Sequence, residues 1–190
     1  NTILKLIRIL DKKKLLKNKY KIQVTKNIPQ KSGLGGGSMN AATILVYLLR
    51  REQIYLQENE ILSICNQIGS DVMLGLDPKN LILKNNNIKK FNNKLGFHTV
   101  LIKPKIGCST KKIYRNFKIF SKNRIKLSKG AFKIQSLQNA QNDLEKPAFK
   151  LYPILRKLKN YLLSIEQVKF VRMTGSGSAI VAYFSNKKSA

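Results

Sequence analysis

The feature that most constrains the fold of this chain is a glycine-rich loop set between two segments of different periodicity. Four glycines lie among residues 33–37, and glycine takes left-handed backbone angles that other residues avoid. Before the loop, Tyr20–Thr25 alternates apolar and polar residues, which predicts a half-buried strand. After it, helical spacing of apolar residues predicts a helix over 38–51; they are Ala41, Ala42, Ile44, Leu45, Leu48 and Leu49. The chain therefore places a glycine loop between a strand and a helix.

Such a loop presents backbone N–H groups to a ligand, because glycine has no side chain to mask them. The helix that follows adds the positive end of its dipole, where anions bind. Together these properties predict a phosphate-binding loop with a polyphosphate as its ligand. The alternative is a glycine turn that only begins the helix, with Ser38 as the N-cap residue.

Two common phosphate-binding loops do not match the sequence. A P-loop needs Gly-x-x-x-x-Gly-Lys-Ser/Thr, and no Lys-Ser or Lys-Thr pair follows these glycines. A dinucleotide-binding loop needs Gly-x-Gly-x-x-Gly, but the sixth position counted from Gly33 is Ser38. The loop therefore belongs to another class.

Composition allows one large or two small domains and limits the partners. The chain has 190 residues, of which 43% are hydrophobic, and this is enough for a packed core. Its 37 lysines and arginines against nine acidic residues give a net charge of +28, which indicates an anionic partner such as a nucleotide, a nucleic acid or a membrane surface. Because the lysines are spread along the whole chain among many asparagines and isoleucines, we expect compositional drift rather than a dedicated nucleic-acid function.

The sequence also predicts where the protein works. No apolar run approaches the length of a membrane span, about eighteen residues, and the first ten residues lack the cleavage site of a signal peptide. Cys65 and Cys108 are far apart and do not have metal-binding spacing. We therefore expect a cytoplasmic protein that binds no membrane, with Cys65 in its core. The sequence does not indicate the oligomeric state.

Periodicity predicts the remaining elements and two domains. Helices are predicted to about Leu16, over 58–67, around 111–117 and over 145–163, and 77–98 is predicted as hairpin and loop. Strands are predicted over 99–104, 169–173 and 179–184, and a basic, weakly patterned stretch runs to about Leu137. The predicted domains are 1–98 and 99–190, and the mixture of helices and strands makes the fold class α+β.

The scarcity of acidic residues helps to locate a catalytic base. An enzyme that phosphorylates a hydroxyl uses a carboxylate to orient or accept the proton, and only nine residues can supply one. Glu52 is predicted as an exposed helix residue, and Asp143 as either a helix cap or a site residue. Asp71, which lies in a glycine turn before an apolar run, is the better candidate.

The loop has the pattern Pro-x-x-x-Gly-Leu-Gly-Gly-Gly-Ser with a following polar residue and Ala-Ala, which resembles the ATP loop of the GHMP kinases. Its triple glycine is most similar to the branch that phosphorylates 4-diphosphocytidyl-2-C-methyl-D-erythritol. Four further segments resemble that branch in the same order. They are Ile68–Val72, Ser109–Tyr114, Asn142–Glu145 with the following Tyr152-Pro153-x-Leu155, and Met173–Ser178.

The resemblance implies a GHMP kinase fold, with a ribosomal-S5-like first domain that is incomplete here and a ferredoxin-like second domain. It implies that ATP and Mg²⁺ are cofactors, that the 2-hydroxyl of a diphosphocytidyl alcohol is phosphorylated on the route to isoprenoids, and that Asp71 is catalytic. Gly175, Ser176 and Gly177 would lie near the phosphates, and the magnesium ligands are not identified. The implied ATP-binding residues are Pro29, Gln30, Lys31, Ser32, Gly33, Leu34, Gly35, Gly36, Gly37, Ser38 and Met39.

Some residues depart from the pattern of the family. The family begins with a strand carrying a lysine that works beside the aspartate, and Asn1 resembles the start of a later helix, so we expect the front of the enzyme to be absent. Met39 replaces a usual serine, Met73-Leu74-Gly75 replaces a Pro-Phe-Phe-like run, and a Gly-x-Gly-Glu stretch expected near 85–95 is asparagine and lysine. Three hypotheses remain: an active kinase whose beginning is not included in this sequence, a degenerate and inactive kinase remnant, and a basic RNA-binding module. We expect this chain by itself to be poorly active.

Overall fold

The computed structural model describes residues 1–84, 87–92, 96–121 and 134–190. The α-helices are α1 (Thr2–Lys12), α2 (Gly36–Arg51), α3 (Glu58–Ile68), α4 (Thr110–Arg115), α5 (Ile134–Asn139), α6 (Glu145–Leu151) and α7 (Pro153–Leu163). The strands are β1 (Asn80–Lys84), β2 (Asn87–Phe91), β3 (His98–Ile102), β4 (Phe170–Met173) and β5 (Ile180–Phe184). Short 3₁₀ helices cover Ser70–Gly75 and Lys187–Ser189. None of the helices in the described ranges is long and apolar enough to cross a membrane.

The chain forms two compact units. The first contains Asn1–Thr25 and Gly35–Asn92, and the second contains Lys26–Leu34 and Asn93–Ala190. The glycine loop is therefore divided, since residues up to Leu34 belong to the second unit and residues from Gly35 to the first. The predicted boundary between family domains, at residues 98 and 99, stays a prediction.

The first unit is a cluster of helices. α1, α2 and α3 bury one face each, as their apolar periodicity predicts, and α1 ends earlier than expected, at Lys12. The Ser70–Gly75 helix packs against both α2 and α3. The fully buried core residues are Leu6, Leu10, Ala41, Ala42, Leu45, Leu48, Ile64, Cys65, Val72 and Met73. The prediction of Cys65 as a core residue is thereby confirmed, and its thiol is free.

The predicted hairpin in the first unit is confirmed. β1 and β2 pair antiparallel, with Asn80 opposite Phe91 and Lys84 opposite Asn87. Leu83 and Ile88 pack against the helical core. The hairpin therefore adds an apolar face to the first unit.

The prediction of a strand at Tyr20–Thr25 is wrong. The segment is irregular and pairs with no strand in the described part of the chain. Alternation of apolar and polar residues predicts which side chains are half-buried, and Tyr20 and Ile22 are indeed less exposed than their neighbours. A strand also requires a partner for its backbone hydrogen bonds, and alternation does not show whether one is present.

Instead, Glu52 binds residues 17–20, at the start of this segment, through hydrogen bonds. This residue was predicted to be exposed, yet only 4% of its surface is accessible, and it follows the last residue of α2. Its carboxylate accepts hydrogen bonds from the backbone N–H of Lys17 at 3.1 Å, from Asn18 Nδ2 at 3.0 Å and from the Tyr20 hydroxyl. The bond from Tyr20, followed by that from Asn18, lowers the pKa of the Glu52 carboxyl. The same bond raises the pKa of Tyr20.

The second unit contains a three-stranded antiparallel sheet in the order β3-β5-β4. Val100 lies opposite Ala182 in one pair, and Met173 lies opposite Ile180 in the other. One face of the sheet packs on α6 and α7, with a core of Cys108, Ile113, Ala148, Phe149, Leu155, Leu162, Val171, Met173, Ile180, Ala182 and Phe184. The three predicted strands are confirmed. The basic stretch before Leu137 lies partly outside the described residues.

The predicted helix over 145–163 is two helices. α6 ends at Leu151 and α7 begins at Pro153, with Tyr152 between them at φ −133° and ψ 76°. Proline disfavours helical angles in the residue before it and has no N–H for the helical hydrogen bond. The break places the Tyr152 hydroxyl where it accepts the backbone N–H of Ser109 at 3.2 Å.

The bonds to Glu52 predict a pH dependence that Glu52→Gln removes. A carboxyl with a lowered pKa in the folded state contributes stability above its unfolded pKa of about 4.3, and this contribution is lost as the pH falls through the folded value. We expect Glu52→Gln to lower Tm at pH 7 by a few degrees, since each kcal/mol lost lowers the Tm of a chain of this size by about 2–4 °C. The difference from the wild type should shrink as the pH falls below about 4. Thermal unfolding from pH 7 to pH 2.5, monitored by circular dichroism, measures both effects.

Two variants act as controls for this prediction. Tyr20→Phe removes one of the three donors and should lose part of the effect. Glu166→Gln changes an exposed carboxylate between α7 and β4 and should leave Tm unchanged. If Glu52→Gln unfolds at the same temperature as Glu166→Gln at pH 7, Glu52 does not anchor this segment.

Candidate functional site

The first half of the glycine loop is bound to the rest of the second unit through its main chain. The carbonyl oxygen of Lys31 accepts the N–H groups of Cys108 and Ser178, each at 3.2 Å. The carbonyl oxygen of Ser32 accepts the N–H of Ala179 at 2.9 Å. Ser32 is 4% exposed, although the sequence around it is polar. Lys31, at φ 55°, and Ser32 therefore lie in a turn whose carbonyl groups are bonded to residues 108, 178 and 179.

Gly33 fits against this turn only because it has no side chain. A Cβ atom there would lie 2.2 Å from the carbonyl oxygen of Thr174 and 2.9 Å from the nitrogen of Gly177. Its φ of 77° is also in the left-handed region. On the other side of the contact, a Cβ on Gly175, where φ is 46°, would lie 3.1 Å from the carbonyl oxygen of Gly33. The glycine loop and the Gly175–Gly177 turn thus approach each other backbone to backbone.

The second half of the loop begins α2 in the first unit. Gly35 is the N-cap residue, with φ 68° and ψ 9°. The prediction of Ser38 as N-cap is therefore wrong: a left-handed glycine already turns the chain, and Ser38 lies inside the helix. Gly35 has no side chain to cap the helix, and no acidic residue lies in the first turn. The backbone N–H groups there and the positive end of the dipole suit an anion.

Asp71 lies in the 3₁₀ helix Ser70–Gly75, which packs against α2 within the first unit. The contact is close, since a Cβ on Gly75 would lie 2.7 Å from Ala42 Cβ and 3.1 Å from Met39 Sδ. Asp71 itself is exposed, and Ser70 Oγ donates to its Oδ1 at 3.3 Å. The carboxylate predicted as the base therefore belongs to an element fixed to the first two turns of α2.

Met39 and Gly75, two positions where the resemblance implies other residues, lie in contact. Met39 occupies the position of a usual serine, and Gly75 falls in a run where the family has Pro-Phe-Phe-like residues. In this chain the larger side chain is at position 39, and position 75 has no side chain with which it could collide. The atom nearest to position 75 is Ala42 Cβ, however, so a side chain there would collide whatever residue occupies position 39.

The second unit has an open cavity of about 410 Å³ beside the turn between β4 and β5. Three aromatic residues line it together with groups that can donate or accept hydrogen bonds. The lining residues are Tyr114, Phe117, Phe120, Gln141, Asn142, Asp143, Leu144, Arg172, Met173 and Gly175. Such a cavity can hold a planar ring with polar edges.

Two charged residues of this cavity are fixed by their neighbours. Asp143 Oδ2 accepts the backbone N–H of Ser121 at 3.0 Å. The prediction of Asp143 as a helix cap is wrong, because Leu144 is the N-cap residue of α6 and supplies no capping side chain. Arg172 stacks over the Phe170 ring at 5.2 Å, and its Nη2 donates to the carbonyl oxygens of Gln138 and Ala140. Burial lowers the pKa of Arg172.

The described residues do not form a metal site from protein side chains alone. Across the described ranges, no three histidine, cysteine, aspartate or glutamate side chains come together to hold an ion. Mg²⁺ in phosphate-transferring enzymes commonly uses only one or two protein carboxylates together with substrate phosphates. The residues present are therefore compatible with Mg²⁺ carried by a nucleotide.

Comparison with known proteins identifies the family. Residues 1–77 match the N-terminal domain of the GHMP kinases, and residues 119–190 match the C-terminal domain. The chain is 50% identical to a 4-diphosphocytidyl-2-C-methyl-D-erythritol kinase of Pelagibacter ubique, over 99% of this chain and 68% of that protein. It is 31% identical to the chloroplastic/chromoplastic kinase of the same name from Solanum lycopersicum, over 95% of this chain and 48% of that protein.

A solved structure agrees with these sequence matches. The crystal structure of a 4-(cytidine 5'-diphospho)-2C-methyl-D-erythritol kinase has a TM-score of 0.67 to this chain, at 25% identity, and the match covers 87% of this chain and 62% of that one. The chain belongs to the GHMP kinases, and the predicted α+β fold of that class is confirmed. Within the class it belongs to the family of the 4-diphosphocytidyl-2-C-methyl-D-erythritol kinases. It spans between about half and two thirds of the length of these relatives.

The two loop glycines predict different costs of substitution. Gly33→Ala adds a Cβ that collides with the Thr174 carbonyl, so residues 31–33 must leave the turn, and we expect a loss of about 2 kcal/mol or more in the free energy of unfolding. Gly35→Ala has open space around the new Cβ and should cost only the left-handed conformation, about 1 kcal/mol. Urea denaturation of both variants and the wild type measures the difference. Equal losses for the two variants would show that the contact with Thr174 does not restrict position 33.

Proposed function

We propose that this protein transfers the γ-phosphate of ATP to the 2-hydroxyl of 4-diphosphocytidyl-2-C-methyl-D-erythritol, in the methylerythritol phosphate route to isoprenoids. One observation carries the proposal. In a chain of this family, the N-terminus of α2 follows a left-handed glycine and is free of acidic residues, and the helix with Asp71 packs directly on α2. A phosphate-binding helix terminus and a carboxylate base thus belong to one unit.

The ATP phosphates would be bound by the loop residues. The N–H groups of Gly36, Gly37 and Ser38, at the start of α2, would donate to phosphate oxygens and be strengthened by the helix dipole. Lys31, exposed in the first half of the loop, adds a positive charge. Mg²⁺ bound with the nucleotide supplies neutralisation of the charge that develops on the transferred group. ATP binding by Pro29–Met39 and a phosphate-proximal role for Gly175–Gly177 remain proposals.

Asp71 would orient the substrate hydroxyl and accept its proton. Phosphoryl transfer requires little covalent chemistry from the protein, so positioning of the hydroxyl in line with the γ-phosphate provides much of the acceleration. The short helix that carries Asp71 is suited to positioning because its far end is fixed by Gly75 against Ala42 and Met39. Lys5 Nζ also donates to the carbonyl oxygen of Ile68 at 3.3 Å, just before this helix.

The cavity of the second unit has the chemistry to hold a planar ring with a polar edge. A pyrimidine ring has a flat apolar face and a hydrogen-bonding edge, and the cavity offers the aromatic side chains of Tyr114, Phe117 and Phe120 together with the polar groups of Gln141 and Asp143. Tyr114 and Phe120 are exposed and accessible to a ring. We propose this cavity as a ring-binding site of the second unit.

Nucleotide binding can be tested without any catalysis. ATP or ADP with Mg²⁺ should raise the Tm of the chain, because a ligand that binds only the folded state stabilises it by mass action. At a nucleotide concentration of 100 Kd the gain is about 2.7 kcal/mol. Gly36→Val places a branched side chain at the start of α2 and should abolish the shift, which differential scanning fluorimetry would measure.

An unchanged Tm at millimolar nucleotide, or a Gly36→Val variant that responds like the wild type, would contradict the assignment of the loop. The RNA-binding alternative predicts a different result. It requires retention on RNA with a steep dependence on salt concentration and no competition by ATP.

Asp71→Asn should separate binding from chemistry. A general base typically contributes about a hundred- to ten-thousandfold in rate, so we expect turnover to fall by that order while the Kd for ATP stays within about twofold. The measurement is phosphate transfer to 4-diphosphocytidyl-2-C-methyl-D-erythritol. It is made on the chain itself and on a chimaera that supplies the part of the Pelagibacter ubique relative that this chain does not span.

Two further results would decide against this assignment. Turnover that survives Asp71→Asn would exclude Asp71 as the base. Transfer to homoserine or mevalonate, with none to the diphosphocytidyl compound, would overturn the proposed substrate. Asp11→Asn is a matched control, because Asp11 lies near the end of α1 and is exposed.

A further inference from the structure

The side chain of Asn142 makes three hydrogen bonds to described residues, two of them to the turn between β4 and β5. Its Nδ2 donates to the carbonyl oxygen of Met173 at 2.8 Å and to that of Gly175 at 2.7 Å. Its Oδ1 accepts the backbone N–H of Leu144 at 3.0 Å. The bond from Leu144 fixes the orientation of the amide, since only the oxygen can accept it. The side-chain NH₂ therefore clamps two carbonyls that are two residues apart.

The residue between the two clamped carbonyls is Thr174, which contacts Ser32 and Gly33 of the glycine loop. Its carbonyl oxygen is the atom nearest to the position of a Cβ on Gly33. The same oxygen accepts the N–H of Gly177 at 2.8 Å, and the N–H of Thr174 donates to Ala179 at 2.9 Å. Its Oγ1 also donates to the carbonyl oxygen of Ser32 at 3.2 Å. The orientation of Thr174 thus determines how residues 31–33 are bound.

We propose that Asn142 is a positioning residue for the nucleotide loop. By holding the carbonyls of Met173 and Gly175, its amide keeps Thr174 in the orientation that binds Ser32 and Gly33, and so sets the conformation of the loop before Gly35. The hydrogen bonds of Asn142 alone support the clamp. The effect of the clamp on ATP affinity rests on the proposed function.

A single substitution distinguishes this role from simple helix capping. The bond from Leu144 N–H to Oδ1 is an Asx turn before α6, and aspartate makes that turn as well as asparagine does. Aspartate cannot donate to a carbonyl, however, and would place an anionic oxygen beside two carbonyl oxygens. Asn142→Asp therefore preserves the start of α6 and removes the clamp. Asn142→Ser, which is uncharged and too short to reach both carbonyls, tests the same point if the aspartate variant does not fold.

The first measurement is hydrogen exchange followed by mass spectrometry on the full chain without nucleotide. The N–H groups of Cys108, Ser178 and Ala179 bond to the loop carbonyls, so their exchange reports loop binding. We expect it to be about tenfold faster or more in Asn142→Asp, with the exchange of α7 unchanged. Asn160→Asp, at an exposed position of α7, introduces the same charge elsewhere and should match the wild type.

The second measurement is the Kd for ATP with Mg²⁺ by isothermal titration calorimetry, which we expect to rise about tenfold in Asn142→Asp and to stay constant in Asn160→Asp. Unchanged exchange at Cys108, Ser178 and Ala179 in Asn142→Asp or Asn142→Ser would overturn the clamp. Faster exchange with an unchanged Kd would overturn its link to the nucleotide. If the wild type binds no ATP, the proposed function fails, and the exchange measurement still decides whether Asn142 positions the loop.

Discussion

The contact between the backbone of Gly33 and the carbonyl oxygen of Thr174 is the constraint on which the nucleotide loop depends. It lets the carbonyls of Lys31 and Ser32 reach the N–H groups of Cys108, Ser178 and Ala179, so the first half of the loop is bound by main-chain hydrogen bonds. Main-chain hydrogen bonds do not depend on which side chain a residue has. Position 33 requires that the residue be small enough to approach Thr174. This explains physically why positions 33 and 175 are occupied by glycine.

The first unit uses a second close approach, between Gly75 and the start of α2. Here the small residue is opposite Ala42 and Met39, and the contact determines where the helix with Asp71 lies. Because interiors are close-packed, a large residue at position 39 requires space at position 75. Position 75 must therefore be small because of Ala42 as well as Met39.

Much of the fold could be predicted from periodicity, because apolar spacing determines which face of an element is buried. This holds for α2, α3, the β1–β2 hairpin and the three strands of the sheet. The wrong predictions occur where a contact between residues distant in sequence determines the structure or the burial of a residue. Tyr20–Thr25 has the alternation of a strand but no strand partner in the described residues, and Glu52 is buried because Asn18 and Tyr20 come to it. The division of the helix over 145–163 was predictable, since Pro153 marks it. The hydrogen bond between Ser32 and Ala179 could not be predicted from the sequence near either residue.

The use of the nine acidic residues supports the choice of Asp71 by a separate argument. In a chain so rich in lysine, most carboxylates are engaged in structural bonds. Glu52 and Asp143 accept backbone N–H groups, Glu145 accepts the N–H of Met173 and pairs with Lys159, Asp77 pairs with Lys90, and Glu60 closes the capping box of α3. Asp11, Glu58 and Glu166 are exposed on other elements. Asp71 is exposed too, but its helix packs on α2, the helix proposed to bind phosphate, and within the described residues its side-chain partner is the adjacent Ser70. A base must be free to accept a proton from the substrate, and among the carboxylates of the first unit Asp71 best combines that freedom with a fixed position beside α2.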